Sequence, residues 1–499
     1  MSGIRKQAII SSILVYIGVL FGAINNYFFV KDGSFLPQQY GLTRIFSDVG
    51  QNFFIFASLG AIPVLYKFFP YYQDNLEEHE NDLFGRTLLM SFLGCILVGV
   101  AGYFLEPLFI QKFSNRSPLF VQYYFWVFPF AFGLLFFSLL EGYAWALQKT
   151  ILSNFLRETV LRILTTVIIL LYYFKLIDFR TFMVYFSFLY LVIAFILLFY
   201  LVKTGHLKFQ FKKSRVTKKF YRKMFTMQSL VFGGIIITTI GSTIDGLIIA
   251  SLLGLEPTGI YTLALYVANL IQIPQRSMQS IATGVLVRMW KDKNYAEILR
   301  IYQRSSINML LISIFIFGNI WLNVHDGLNL VNIQDTYASG IGLLLIFGII
   351  RIIDAGTGVN AQVIGASNYW RFEFLSGVIM LAIRIPLSYL FVKSYGIIGT
   401  AYSDLISLTI YNFIRFEFLR RKFNMQPFSL KTIYTILCGF AAYFIAYFIL
   451  RNFHNWPALF LRSLTFSAIL GVCVFLFRLS PDALQLVEVA KNRLRKYKN

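Results

Sequence analysis

Long apolar stretches alternate with short polar segments along the whole chain. Each stretch is about 20 residues or longer, the length of helix that crosses a ~30 Å hydrocarbon core. We place about fourteen of them, at residues 8–29, 42–68, 84–106, 119–147, 150–172, 180–203, 224–253, 259–287, 304–323, 338–364, 372–393, 397–419, 432–452 and 458–479. Because backbone polar groups in lipid must be satisfied within each segment, the pattern predicts an all-α polytopic membrane protein.

The distribution of basic residues predicts how these spans are oriented in the membrane. The chain carries 45 Lys and Arg against 23 Asp and Glu, and only 14% of its residues are charged. If the N-terminus lies in the cytoplasm, most basic residues fall in cytoplasmic segments, as the positive-inside rule expects. An even span count then predicts a multi-pass protein of a bacterial inner (plasma) membrane with both termini cytoplasmic. The basic residues occupy short loops rather than one soluble face, which favours contact with anionic membrane lipids over nucleic-acid binding.

The first twelve spans form two halves that resemble each other at an offset of about 220 residues. The matching positions are Gly22–Asn26 with Gly241–Asp245, Leu36–Gly41 with Glu256–Tyr261, Pro63 with Pro274, and Arg162 with Arg384. Because six spans return the chain to the same side, the halves are parallel repeats. Pro63 and Pro274 are each expected to interrupt the second span of their half.

The repeat defines five segments. They are an N-terminal six-helix lobe at 1–203, a basic cytoplasmic linker at 204–223, a C-terminal six-helix lobe at 224–419, two extra transmembrane helices at 420–479 and a basic cytoplasmic tail at 480–499. At the start of the tail, Ser480 and Pro481 predict a helix beginning with Ser480 as N-cap.

Four arginines lie at membrane depth: Arg162, Arg276, Arg351 and Arg384. An Arg at the centre of a spanning helix costs about 2.5–3.5 kcal/mol on insertion scales, so such residues face a partner or a water-filled cavity. Together they exceed what the nearby Asp354 can pair. A guanidinium binds phosphate oxygens through a planar fork and keeps its charge, so the surplus predicts a site for a phosphate-bearing substrate. The alternative is that each Arg bonds carbonyls freed by a neighbouring proline.

Intramembrane carboxylates suggest a second kind of site. Asp245 follows Ser242 and Thr243, and Asp404 follows Thr400; a carboxylate with hydroxyl or backbone oxygens suits Na⁺ or a proton. Helix-packing hydrogen bonds would give the same pattern. Asp354 lies one helical turn from Arg351, where it either neutralises that arginine or takes part in coupling. Glu141 either lines a cavity or reaches cytoplasmic water.

Other chemistry is not indicated. The three cysteines lie far apart inside apolar spans and the four histidines are scattered, so neither disulfides nor a metal site is predicted. We find no nucleophile–base pair, and we predict no catalytic residue and no cofactor beyond a coupling ion. The outer loops are short, which argues against a membrane-bound sugar polymerase or ligase.

The chain resembles the multidrug/oligosaccharidyl-lipid/polysaccharide (MOP) exporter superfamily, and within it the Wzx-like polysaccharide-biosynthesis flippases. The resemblance covers nearly the whole chain. It is carried by Leu36–Gly41 running on to Ala57–Gly60 and Lys67–Pro70, by Gly254–Tyr261 and by Tyr395–Tyr402.

The resemblance implies two six-helix lobes forming a V, with two extra C-terminal helices. It also implies transport of an undecaprenyl-diphosphate-linked oligosaccharide, such as an O-antigen or exopolysaccharide repeat unit, from the cytoplasmic to the periplasmic leaflet by alternating access. The four arginines would bind the diphosphate, and Asp245, Thr400 and Asp404 would belong to a cation site. Expected partners are the lipid-linked oligosaccharide, membrane lipids, and a polysaccharide polymerase and glycosyltransferases of the pathway.

Two related functions remain open. A cation-coupled multidrug antiporter would need an acidic cavity, whereas arginine outnumbers carboxylate here. A peptidoglycan-precursor (lipid II) flippase would use central arginines for the same diphosphate chemistry.

Overall fold

Helices make up all regular secondary structure in the described part of the chain. The computed structural model describes residues 2–205, 207 and 210–485. The long basic tail at 486–499 lies outside the described residues, as do residues 206, 208 and 209 of the predicted linker. The predicted all-α fold is confirmed.

Contacts divide the chain into two compact units, Met1–Gly259 and Ile260–Asn499. The first unit contains α1 Ser2–Val30, α2 Pro37–Ser58, α3 Ala61–Asn75, α4 Leu83–Phe113, α5 Pro118–Tyr123, α6 Val127–Ala146, α7 Thr150–Phe155, a π-helix Leu156–Val160, α8 Leu161–Tyr173, α9 Phe179–Lys203 and α10 Arg215–Leu252. The next helix, α11 Leu255–Leu270, crosses the division. The second unit continues with α12 Ile273–Lys291, α13 Tyr295–Leu330, α14 Ile341–Gly356, α15 Asn360–Gly365, α16 Trp370–Tyr395, α17 Ile398–Phe423, α18 Leu430–Leu450 and α19 Trp456–Leu476.

Helices cover every predicted span, but not all of them are unbroken apolar helices. Within the described residues, nine helical segments are long and apolar enough to cross a membrane, and ten if the bent pair α2 and α3 counts as one span. The count of fourteen is therefore not confirmed. Large apolar side chains remain exposed along α4, such as Leu97 at 62% and Phe104 at 74%, which suits a surface solvated by lipid.

Both predicted interruptions are present. The α2–α3 pair bends by 45° where Leu59 and Gly60 adopt left-handed backbone angles. A Cβ on Gly60 would lie 2.8 Å from Cβ of Phe232, so this position also needs glycine for its close approach to α10. In the other half, α11 ends at Leu270 and Pro274 stands in the first turn of α12.

Two matching pieces of the predicted repeat contact each other where α2 meets α11. A Cβ on Gly41 would lie 1.9 Å from the carbonyl oxygen of Leu255, and a Cβ on Gly259 would lie 2.3 Å from that of Pro37. The two glycines thus let the backbones approach reciprocally. Small residues serve this purpose in membrane helices generally.

The end of the predicted linker is an ordered helix start. Ser214 caps α10 by accepting from the backbone N–H of Thr217 at 3.2 Å. Fully buried Asp82, in front of α4, accepts from the Thr217 hydroxyl at 2.8 Å and from Nε of Arg86 at 2.5 Å. Residues from Arg215 onward therefore belong to α10, which packs along α2 and α3 in the first unit.

The predicted helix start after the last span is confirmed for the described residues. Ser480 Oγ accepts from the N–H of Ala483 at 3.1 Å, and residues 481–485 are helical. Asp482 also contacts Arg304 of α13 at 3.3 Å.

Candidate functional site

Arg351 is at the centre of a polar cluster in the second unit. It lies on α14, and its guanidinium donates to Oδ1 of Asn269 on α11 at 3.0 Å. Its Nε is buried and has no hydrogen-bond partner among the described residues. Its direct partner is therefore a neutral amide, which leaves part of its hydrogen-bonding capacity unused.

Asp354, one turn further along α14, has partners of its own. Gln275 of α12 donates to Oδ2 at 2.8 Å, and Asn412 of α17 donates to Oδ1 at 3.1 Å. Oδ1 of Asn412 in turn accepts from Asn360 at 3.1 Å. Two neutral amides thus hold the carboxylate.

Arg384 and Asp404 form an ion pair between α16 and α17. The distance from Arg384 Nε to Asp404 Oδ1 is 2.6 Å, and the side chains are 13% and 6% exposed. Thr400, the predicted companion of Asp404, instead donates its hydroxyl to the carbonyl of Ile397 at 2.7 Å. The charges of Asp404, Asp354 and Arg384 all act on Arg351, so these four groups share one electrostatic environment.

Arg162 and Glu141 lie in the first unit, at separate ion pairs near the π-helix. Arg162 contacts Glu158 at 2.9 Å, with about a third of each side chain exposed. Glu141 of α6 is buried, and its Oε2 accepts from Arg157 at 2.5 Å. A π-helix interrupts regular backbone bonding and is frequent at functional sites.

Arg276 is the most accessible of the four arginines. It lies in the first turns of α12, is exposed, and donates to Oε1 of Gln272 at 3.5 Å. It follows Gln275, the partner of Asp354, directly in sequence.

Asp245, the remaining predicted cation ligand, is buried on α10 in the first unit, whereas Asp404 belongs to the second. The Asp245 carboxylate is close enough to Asp48 of α2 to repel it, and Asp48 is paired with Arg44 at 2.9 Å. Within the described residues, no cluster of three or more His, Cys, Asp or Glu side chains suited to a metal ion is found.

The sequence predicted that the four arginines lack enough carboxylate partners. For two of the four this prediction is wrong. Arg162 and Arg384 each have a carboxylate partner, whereas Arg276 and Arg351 are bonded to neutral amides. The sequence already contained the signal for the first pair, since Glu158 and Arg162 are four residues apart in a helix. The second pair joins different helices, and spacing could not reveal it.

The sequence analysis did not predict two further ion pairs, each of which contains a buried arginine. Arg415 of α17 pairs with Glu373 of α16, and its guanidinium stacks 3.5 Å from the ring centroid of Tyr411. Arg462 of α19 pairs with Asp326 of α13 and donates to the carbonyl of Phe453, past the end of α18. Both pairs tie neighbouring helices together.

Comparisons with known proteins identify the fold. No protein-family model matches the sequence, and no curated protein matches it. A solved structure described as "Lipid II flippase MurJ, inward closed conformation" matches with a TM-score of 0.72 and 16% identity, over 94% of this chain and 98% of that chain. The chain has the fold of MOP-superfamily transporters.

Two other MOP structures agree. An inward-facing multidrug resistance MATE family transporter gives a TM-score of 0.63 at 13% identity, over 83% of this chain and 98% of that chain. A MOP transporter from Pyrococcus furiosus, whose binding pocket is described as having reverse polarity, gives 0.56 at 14% identity, over 84% and 95%. At such identities the MOP likeness concerns the fold. These neighbours are transporters and flippases rather than enzymes, and with the apolar helices they indicate a multi-pass membrane protein.

Proposed function

We propose that this protein is a flippase that moves an undecaprenyl-diphosphate-linked oligosaccharide from the cytoplasmic to the periplasmic leaflet by alternating access. The observation that supports this proposal is the polar cluster around Arg351 in the second unit. There Arg351 donates to the neutral amide of Asn269, and the Arg384–Asp404 pair acts on it electrostatically. A diphosphate is the kind of group that such a pair of guanidinium groups recognises.

In this proposal Asp404 takes the place of the substrate while the carrier is empty. A buried arginine without a counter-charge is costly, and Asp404 supplies that charge. An arriving phosphate can exchange with the carboxylate at Arg384 and take up the unused Nε of Arg351. Glu158 would play the corresponding part at Arg162, and exposed Arg276 would make the first contact.

The exchange also gives a reason for cation coupling. Once a phosphate holds Arg384, the Asp404 carboxylate loses its counter-charge inside the membrane. Binding Na⁺ or a proton restores neutrality, with Thr400 one turn away as a hydroxyl ligand. Asp245 remains a candidate cation ligand in its own unit, and Asp354 and Glu141 remain candidates for coupling.

The site bears differently on the two related functions. A multidrug antiporter for cationic drugs would use an acidic site, but Glu141 and Asp404 are both held by arginines. A lipid II flippase would share the diphosphate chemistry, and the similarity to the MurJ structure supports this alternative. The substrates of the two proposed flippases differ in their sugars, and in the proposed mechanism the arginines do not contact the sugar.

Transport in proteoliposomes tests the proposal. We expect vesicles with the wild-type protein to flip a diphosphate-linked oligosaccharide, and Arg351→Gln and Arg384→Gln to slow flipping at least tenfold. Arg288→Gln is the matched control, because Arg288 is exposed in the last turn of α12. Unchanged flipping in both cluster variants would refute the assignment.

A further inference from the structure

An apolar groove opens on the first unit between α4 and α6. Its volume is about 290 Å³. Its walls include Leu88, Phe92 and Cys95 from α4 and Phe132 and Phe136 from α6. Phe92 is 57% exposed and Phe132 42%, so the groove faces the surroundings of the helices.

The linker closes one end of this groove. Phe211 contributes to the lining and is 55% exposed. The linker is held there by a close backbone approach, since a Cβ on Gly85 would lie 2.3 Å from the carbonyl oxygen of Gln210. The Gln210 side chain accepts from the N–H groups of Phe211 and Lys212 at 3.0 and 3.2 Å. The close approach to Gly85 thus places this short segment over the start of α4, and the Gln210 hydrogen bonds hold the shape of the segment itself.

Charged residues of both signs lie where the groove ends. Lys212 and Lys213 are exposed directly after Phe211, and the linker sequence from 203 to 223 contains no acidic residue. The carboxylate of Asp82, in front of α4, is engaged by Arg86. Gln210 donates to the carbonyl of His79 at 3.4 Å, so the loop that carries exposed Glu77 and Glu80 lies beside the linker. The two lysines directly follow the residue that lines this end of the groove.

We propose that this groove is a binding site for one anionic phospholipid. The acyl chain lies between α4 and α6, and the phosphate lies at Lys212 and Lys213. Basic residues beside a cleft between transmembrane helices are the general arrangement for recognising anionic lipid headgroups. The site is independent of the transport proposal, and it gives the basic linker a specific partner rather than a diffuse one.

Native mass spectrometry of the purified protein tests this site. The protein is mixed with phosphatidylglycerol or with phosphatidylcholine of the same acyl chains, and retained lipid is counted. We expect one phosphatidylglycerol to be retained at least fivefold better than phosphatidylcholine. Equal retention of the two lipids would overturn the proposal.

Variants locate the site. Lys212→Gln with Lys213→Gln should abolish the preference for phosphatidylglycerol, whereas Lys218→Gln with Lys219→Gln, on exposed residues of α10, should leave it intact. Equal loss in both double variants would show diffuse charge attraction and overturn the site.

The apolar part is tested separately. Cys95→Phe fills the groove and should lower retention of both lipids, and Phe211→Ala should do the same by removing an exposed wall without disturbing the core. Size-exclusion profiles identify any misfolded variant. If Cys95→Phe is misfolded, the lipid retention of Phe211→Ala alone tests the placement of the acyl chain. Normal retention in folded groove variants would overturn the placement of the acyl chain.

Discussion

We expect the protein to lose folding stability when either partner of the Arg384–Asp404 ion pair is replaced alone. The pair joins α16 to α17 at 2.6 Å, with 13% and 6% of the side chains exposed. Arg384→Gln or Asp404→Asn alone leaves the other charge buried without its partner. Breaking a buried pair in this way costs roughly 3–5 kcal/mol.

The double variant behaves differently. With both charges gone, Gln at 384 and Asn at 404 can hydrogen-bond to each other, and replacement of a buried pair as a whole is often close to neutral. We therefore expect Arg384→Gln with Asp404→Asn to lose only about 1 kcal/mol. The difference between the double variant and the sum of the single variants is then several kcal/mol, far above the ~0.5 kcal/mol seen for independent sites.

The assay is the free energy of unfolding of purified protein in a mixed-detergent titration. The pair Arg420–Glu417 near the end of α17 is the matched control, because its arginine is 54% exposed and we expect little effect from the same substitutions. If the effects of Arg384→Gln and Asp404→Asn simply added, the two charges would not depend on each other. The exchange mechanism would then lose its physical basis.

Three further predictions concern other parts of the fold. Gly41→Ala should destabilise the protein by about 1–3 kcal/mol because its Cβ would meet a backbone oxygen, whereas Gly99→Ala, which meets open space, should not; thermal unfolding compares them. Asp82→Asn should speed hydrogen exchange at the start of α10, because the charge that receives three hydrogen-bond donors is lost. Hydrogen bonds from Thr181 hold the pKa of Asp178 below its usual range, so its capping of α9 is complete at neutral pH and is lost as pH falls through that lowered pKa. The protection factor of the Thr181 amide, which corrects its exchange rate for the intrinsic rate at each pH, should therefore fall in acid, and Asp178→Asn should remove this pH dependence. A fall of the same size in the variant would contradict the assignment.

The fold followed from sequence because its determinants are local and repetitive. Apolar length predicted the helical segments, although the count of fourteen spans is not confirmed, and Pro63 and Pro274 marked the broken helices. The matched stretches of the repeat contain Gly41 and Gly259, which meet in the structure, although the repeat did not predict that contact. The start of α10 was less visible, because hydrogen bonds to Asp82, more than a hundred residues away, order a stretch that reads as a basic linker.

The candidate site was only partly accessible from sequence. Predicted membrane depth singled out the four arginines, but partners on other helices determine the contacts of Arg351 and Arg384. Arg351 finds Asn269 rather than its neighbour Asp354, and Arg384 finds Asp404 on the next helix. No sequence period encodes such contacts, so the roles of these residues in binding stay predictions.

Equilibrium binding of a diphosphate-linked oligosaccharide to purified protein tests the central claim most directly. If Asp404 competes with substrate phosphate for Arg384, Asp404→Asn should tighten binding by about tenfold, or ~1.4 kcal/mol, and Arg384→Gln should weaken it. Weaker or unchanged binding in Asp404→Asn, with the variant folded, would contradict the account.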